Sequence, residues 1–300
     1  MRTSLKLRGA KLRAASVAVS VAALAVVAAL IPSQMGAAAS HAAAASRAPH
    51  SATAAAKPTI VLEHGAWADG SSWSGVIRRL QSDGYTVVAP PNPLRGLASD
   101  AATLADFLAT IPGPIVLAGH SYGGAVITNA ATGNPNVKAL VYVDAFIPDQ
   151  GENVFALTAA QPGSCLGGDP AKTFNFVPYP GAPAGDFDAY LQPAPNLPYP
   201  GFHECFANDL PASQAAVLAA TQRPIALSAG SAPSGVPAWK TIPSWALIGT
   251  IDRVIPPAEL LFMAQRANAH ITEIRASHLS LVSHPAAVAR VIIDAARSTS

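Results

Sequence analysis

The feature that most constrains this chain is a five-residue turn, Gly119-His-Ser-Tyr-Gly123, set between the apolar run Pro114–Ala118 and a helical stretch over Ala125–Ala131. A serine flanked by glycines where a strand hands over to a helix has the layout of a nucleophile elbow. The glycines are needed because the turn is too tight for side chains, and the serine is held in a strained conformation with its hydroxyl at the sheet edge. The helix that follows aims its first N–H groups at charge developing beside the serine. Gly124 adds a second small residue where helix and strand meet. Ser121 is therefore the candidate nucleophile.

The elements around this turn alternate. Thr59–Glu63 reads as a buried strand ending at His64-Gly65, and Ser72–Leu80 has helical spacing. Tyr85–Ala89 is a second strand stopped by Pro90-Pro91, and Leu97–Leu108 a second helix. Val137–Val143 follows the elbow helix as another strand. After a gap the rhythm returns with strand Ser244–Ile248, helix Pro257–Ala267, strand Ile271–Ile274 and helix Pro285–Ala296. Strands alternating with helices predict an α/β fold: a mainly parallel sheet with helices on both faces.

The gap itself, about 148–240, is crowded with Pro and Gly and holds short helical pieces at His203–Asp209 and Ser213–Gln222. A long irregular insert between two regular halves reads as a cap over an active site rather than a second domain. It contains both cysteines of the chain, Cys165 and Cys205. An even pair in an exported protein reads as a disulfide, and free buried thiols are the alternative. Two cysteines without a neighbouring Cys-x-x-Cys or His-x-His pattern do not make a zinc site, so neither metal nor cofactor is expected.

A serine hydroxyl needs a base. His278 follows the last strand in Arg275-Ala-Ser-His-Leu279, where the loop returns to the active edge; His284 is its rival. The order serine, acid, histidine excludes His64 and His120. The acid belongs at a strand end between Ser121 and His278, where it holds the imidazole tautomer. Asp252, in Gly249-Thr-Ile-Asp-Arg253, fits, and Asp144 after Val137–Val143 is the alternative, otherwise a loop cap. The oxyanion hole combines the Tyr122 N–H with one from the loop after the first strand. His64-Gly-Ala-Trp67 occupies that loop, with Ala66 as donor.

The N-terminus belongs to another pattern. Met1–Arg13 carries five basic residues and no acid, an apolar run covers Ala14–Ile31, and small residues dominate from Gly36 to Ala56. That is the layout of a secretory signal peptide, with cleavage between Gly36 and Ser46; a retained membrane anchor is the alternative. The expected organisation is a leader over 1–46, a linker over 47–57 and one catalytic domain over 58–300. Residues 1–57 hold seven of the 19 basic side chains and none of the 17 acidic ones. The rest of the chain is net negative, which gives no support for nucleic-acid binding. No stable membrane insertion is expected after cleavage, and oligomeric state is left open.

Together these residues resemble the α/β-hydrolases of the group containing plant methylesterases, plant hydroxynitrile lyases and related bacterial esterases. The resemblance covers about 58–300. It rests on His64-Gly-Ala-Trp67, Gly119-His-Ser-Tyr-Gly-Gly124, Val141-Tyr-Val-Asp-Ala-Phe146, Gly249-Thr-Ile-Asp252 with Val254-Ile-Pro256, and Ser277-His278 near Ser283-His-Pro285. It implies an α/β-hydrolase fold, an acid at Asp252, and oxyanion donors at Ala66 and Tyr122. The family's lyases carry a lysine after the catalytic histidine; Leu279 stands there, which argues against cyanohydrin cleavage. The Pro-rich cap with two cysteines also departs from the plant enzymes. The expected activity is secreted hydrolysis of a small-molecule carboxylic ester. Perhydrolase, lactonase or amidase chemistry on the same triad is an alternative, as is a non-catalytic small-molecule-binding relative. Phe146, Phe155, Phe174, Phe176, Tyr179 and Phe202 are candidates either for an apolar pocket under the cap or for core.

Overall fold

The computed structural model describes residues 57–193 and 201–299; the leader and all but the last residue of the linker, with the expected signal peptide, lie outside them. The strands are β1 (Thr59–Glu63), β2 (Val87–Val88), β3 (Ile115–His120), β4 (Val137–Val143), β5 (Phe174–Val177), β6 (Asp188–Leu191), β7 (Ile225–Ala226), β8 (Ser244–Gly249) and β9 (His270–Ile274). The helices are α1 (Ser74–Ser82), α2 (Leu97–Ala109), α3 (Tyr122–Ala130), α4 (Val154–Ala160), α5 (Pro170–Thr173), α6 (Phe202–Phe206), α7 (Ala212–Ala220), α8 (Leu227–Ser231), α9 (Pro257–Arg266), α10 (Ser280–Ser283) and α11 (Pro285–Ser298).

Six strands form one parallel sheet in the order β2-β1-β3-β4-β8-β9. Every residue of β3 and β8 is buried, and every residue of β4 except Lys138, as a sheet covered on both faces requires. α11 starts on Pro285, whose fixed φ suits a first helical position, and buries Val288, Val291, Ile292 and Ala295. It packs on β3, β4 and β8 and against α1, while α2 packs on α3.

The chain runs from β1 outward to β2 and returns on the other side of β1 as β3. The crevice beyond the carboxyl ends of strands at such a reversal is where open α/β sheets bind ligands. In register, Glu63 pairs with Gly119 and His120 with Val143, so the loops carrying Ala66, Ser121 and Asp144 leave the sheet side by side.

Three expectations are corrected. The strand expected over Tyr85–Ala89 shrinks to Val87–Val88: the Tyr85 N–H closes α1 on Leu80 O (3.0 Å), and Pro90-Pro91 supply no N–H to extend the ladder. The elbow helix begins at Tyr122 rather than Ala125, because Gly123 and Gly124 serve close packing rather than a turn. The cap is more regular than its Pro content suggests. It holds α4 to α8 and an antiparallel sheet in the order β5-β6-β7. α4 is started by Asn153, whose side chain accepts the Ala156 N–H at 2.9 Å.

Cys165 and Cys205 are bonded, with Cα atoms 5.7 Å apart, and join the loop before α5 to α6. Closing a loop of 40 residues stabilises the fold by at most about 4 kcal/mol on chain-entropy grounds. The Cys165 N–H also donates to Arg253 O at 2.7 Å, which ties this part of the cap to the loop after β8.

Candidate active site

Ser121 lies between the last residue of β3 and the first of α3, with φ 54° and ψ −126°. A side chain at positive φ costs on the order of 1–3 kcal/mol, and packing has to hold it there. A Cβ at Gly123 would stand 2.7 Å from Glu63 O, and one at Gly119 2.6 Å from Gly123 O, so only glycine lets α3 seat this deeply. The Ser121 carbonyl accepts the N–H groups of Gly124 (2.9 Å) and Phe146 (3.2 Å), which fixes the turn from below.

The structure brings His278 and Asp252 to this serine. His278 Nε2 is 2.8 Å from Ser121 Oγ, and His278 Nδ1 is 2.7 Å from Asp252 Oδ2. Neither the His278 nor the Asp252 side chain exposes any surface. Asp252 Oδ1 accepts the N–H groups of Val254 (2.7 Å) and Ile255 (3.0 Å), which orients the carboxylate. A carboxylate only accepts, so the network assigns the ring hydrogen to Nδ1 and leaves the Nε2 lone pair facing the hydroxyl. Burial pushes His278 down to about 3. It pushes the Asp252 carboxyl up, against the pull of the two amides.

Neither rival is in this chain. Asp144, fully buried, accepts the Gly249 N–H at 2.6 Å and the Ser280 hydroxyl, bracing the exits of β4 and β8. Burial and the neighbouring Asp252 charge raise its carboxyl well above the usual range. His284 Nδ1 meets Ser283 Oγ at 2.8 Å and lies 3.6 Å from Asp209 Oδ2, away from Ser121.

Among the described residues, the N–H groups of Ala66 and Tyr122 have no protein acceptor, and both residues are buried beside the serine loop. Two unpaired amides at the head of a helix and in the facing loop can receive an oxyanion. No group of three or more His, Cys, Asp or Glu among the described residues is placed to hold a metal. No described helix is long and apolar enough to cross a membrane.

Sequence reasoning missed the residues that hold the His278 loop, because each reaches it from a distant segment. His120 Nε2 donates to His278 O at 2.9 Å. From the cap, Asp209 accepts the Ser277 N–H at 3.0 Å and the Ser277 hydroxyl. Phe206, next to Cys205 on α6, lays its ring 4.9 Å from the His278 ring and edge-on to Trp67 at 5.8 Å.

Of the six aromatics considered, Phe155, Phe174 and Phe176 line a cap cavity of about 430 Å³ that has no charged side chain in its wall. Phe174 also stacks on Trp67 at 5.7 Å, joining that wall to the Ala66 loop. Phe146 and Phe202 are core, and Tyr179 carries the Arg95 guanidinium 4.4 Å over its ring.

A family model described as alpha/beta hydrolase family matches residues 60–291. A carbendazim hydrolyzing esterase from Nocardioides sp. (strain SG-4G) is 34% identical over 111 residues. That match covers 33% of this chain and 46% of the esterase, so it spans about half the relative's length. A pyrethroid hydrolase from Sphingobium faniae JZ-2 has a similar structure, with TM-score 0.62 and 24% identity over 80% of this chain and 98% of that one. Polyneuridine aldehyde esterase gives TM-score 0.66 at 18% identity, over 80% and 99% of the two chains. At these identities the two structures share the fold.

Proposed function

The chain belongs to the alpha/beta hydrolase family, and we propose that it is a serine esterase that cleaves small, uncharged carboxylic esters outside the cytoplasm. The observation that carries this reading is the unbroken chain Ser121–His278–Asp252, at 2.8 and 2.7 Å, beside two amides without acceptors. Ser121 Oγ attacks the ester carbonyl carbon while His278 Nε2 takes its proton. The carbonyl oxygen becomes an oxyanion held by the Ala66 and Tyr122 N–H groups. Collapse breaks the C–O bond to the alcohol, which leaves with the proton from His278. Water then adds to the acyl-enzyme, giving its proton to His278, and the carboxylic acid departs as the proton returns to Ser121. Asp252 keeps the imidazole tautomer and faces the cation that forms on it.

The cap cavity does not include Ser121 or His278 in its wall but meets the Ala66 loop through Phe174 and Trp67. Its lining carries no ion, which favours an uncharged substrate. The carbendazim hydrolyzing esterase, matched over 46% of its length, supports ester hydrolysis as the reaction. Export is favoured by the basic, then apolar, then small-residue leader, together with a disulfide, which persists in oxidising compartments. A mature N-terminus sequenced from culture medium should fall between Gly36 and Ser46; protein that keeps Met1 and pellets with membranes would overturn export. The esterase reading is tested by turnover of a p-nitrophenyl ester and by a fluorophosphonate probe, with the adduct mapped by mass to Ser121. A folded protein that neither turns over any ester of a chain-length series nor takes the probe defeats it.

The depressed basicity of His278 sets the pH profile. The base works only when neutral, and a lowered pKa keeps it neutral below the ordinary histidine value of about 6.5. kcat/KM should stay level as pH falls from 8 through 6.5 and decline only in more acidic buffer. An acid limb centred at or above about 6.5 would contradict this.

A further inference from the structure

His64 is fully buried and takes no part in the Ser121–His278–Asp252 chain, yet both its ring nitrogens are engaged. Nε2 lies 3.0 Å from the backbone nitrogen of Asn92. An amide N–H can only donate, so Nε2 accepts and the neutral ring carries its hydrogen on Nδ1. Nδ1 lies 2.9 Å from Gly65 O and therefore donates to it. Asn92 completes the frame: its Nδ2 donates to His64 O at 3.0 Å, and its Oδ1 accepts the Leu94 N–H at 3.2 Å. Burial lowers the basicity of His64, which keeps the ring in this neutral form.

The carbonyl that His64 holds belongs to the same peptide plane as the Ala66 N–H, and in a trans peptide the two point in opposite directions. Holding Gly65 O toward His64 thus turns the Ala66 N–H away from it, to the side where no protein acceptor waits among the described residues. Gly65 packs directly on the nucleophile: a Cβ there would stand 2.6 Å from Ser121 Cβ and 3.2 Å from Ser121 Oγ. Only glycine fits, but glycine also lets its peptide rotate freely. A flipped Gly65–Ala66 peptide would offer a carbonyl oxygen to the oxyanion and repel it. The next peptide is pinned from the cap, where the Trp67 N–H donates to Arg223 O at 2.8 Å and the Trp67 indole to Ala189 O at 2.9 Å.

We propose that His64 is a positioning residue of the oxyanion hole, its Nδ1–H locking the Gly65–Ala66 peptide so that the Ala66 N–H faces the charge formed over Ser121. This rests on the serine-esterase reading above. The imidazole moves no proton; it acts as a fixed bracket, with Asn92 holding its far side.

The test compares His64→Phe, His64→Gln and wild type. Loss of one oxyanion donor lowers kcat by about 10²- to 10³-fold, and loss of its orientation should cost about 10- to 100-fold. His64→Phe should lower kcat by that factor with KM nearly unchanged. It should weaken inhibition by an alkyl boronic acid, which forms a tetrahedral anion on Ser121, by the same factor. His64→Gln, whose carboxamide can both donate to Gly65 O and accept from Asn92, should recover most of both losses. Unchanged kcat in His64→Phe overturns the proposal, as does a fall in kcat with boronic acid affinity intact. Should His64→Phe fail to fold, His64→Asn decides, since its shorter carboxamide is polar but cannot span both Gly65 O and the Asn92 N–H. Parallel losses of kcat and boronic acid affinity are expected there, and no loss in either overturns the proposal. A wild-type protein inert to esters and to fluorophosphonate would fail the esterase reading itself; an active wild type with an indifferent His64 fails this inference alone.

Discussion

Replacing Ser121 with alanine is expected to reduce ester turnover by about 10⁵- to 10⁶-fold, the scale on which a triad that acts as a unit collapses when its nucleophile is removed. The size of the loss follows from what remains. Ala66 and Tyr122 would still offer two N–H groups, and His278 would still present a lone pair, but no covalent acyl-enzyme could form. Water acting in the serine's place has neither its fixed position nor its constraint. The fold should survive, because Ser121 is small and its backbone is held by the carbonyl bonds to Gly124 and Phe146 rather than by its hydroxyl. Alanine meets the same strain at φ 54° that serine does. Purified Ser121→Ala should therefore melt within a few degrees of wild type, retain KM-scale affinity for a slow ester analogue, and show no fluorophosphonate adduct. Turnover above about one per cent of wild type in that variant would remove Ser121 from its role.

What the chain revealed before folding depended on how local each feature is. β3, β4 and β8 were legible because a parallel strand covered on both faces must be apolar along its length, and Ile115–Ala118, Leu140–Val143 and Trp245–Ile248 are. Ser121 and Tyr122 were legible because the elbow is one contiguous turn whose glycines have a steric reason to be there. His278 and Asp252 could be ranked by chain order, by position after a strand and, for Asp252, by the family resemblance; their meeting is a contact across 26 residues. The cap sheet was invisible, since β5 is four residues beside Pro178 and β7 only two, too short for alternation to register. Phe206 and Asp209 were missed for a related reason. Their part at the His278 loop exists only once α6 is folded back onto it, and nothing near residue 206 or 209 in the sequence marks that contact. His64 was set aside as the base by chain order alone, and its bond from Asn92 joins segments 28 residues apart, which no local pattern marks.

The second large effect separates two buried carboxylates that sequence alone left in competition. Asp252→Asn is expected to lower kcat by about 10⁴-fold, through the tautomer rather than through loss of packing. Asp252 Oδ1 is committed to the N–H groups of Val254 and Ile255, so in the amide variant the carbonyl oxygen takes that position. The NH₂ must then occupy the place of Oδ2, 2.7 Å from His278 Nδ1, where two donors would meet. His278 escapes by moving its hydrogen to Nε2. It then donates to Ser121 Oγ instead of accepting from it, and the base is lost while every heavy atom stays in place. Asp144→Asn should behave in the opposite way. Its amide oxygen still accepts the Gly249 N–H, its NH₂ can turn to Ser280 Oγ, and a carboxyl already pushed toward its neutral form by burial loses little by becoming an amide. Activity should stay within a few-fold of wild type, with stability unchanged or higher. Asp144→Ala, by contrast, strands the buried Gly249 N–H and should cost about 1–3 kcal/mol in denaturant melts. Steady-state kinetics on the two asparagine variants decide the matter. A severe loss in Asp144→Asn beside near-normal Asp252→Asn would mean that the acid of the working enzyme comes from the end of β4, and that the pairing at 2.7 Å is not the one used in turnover.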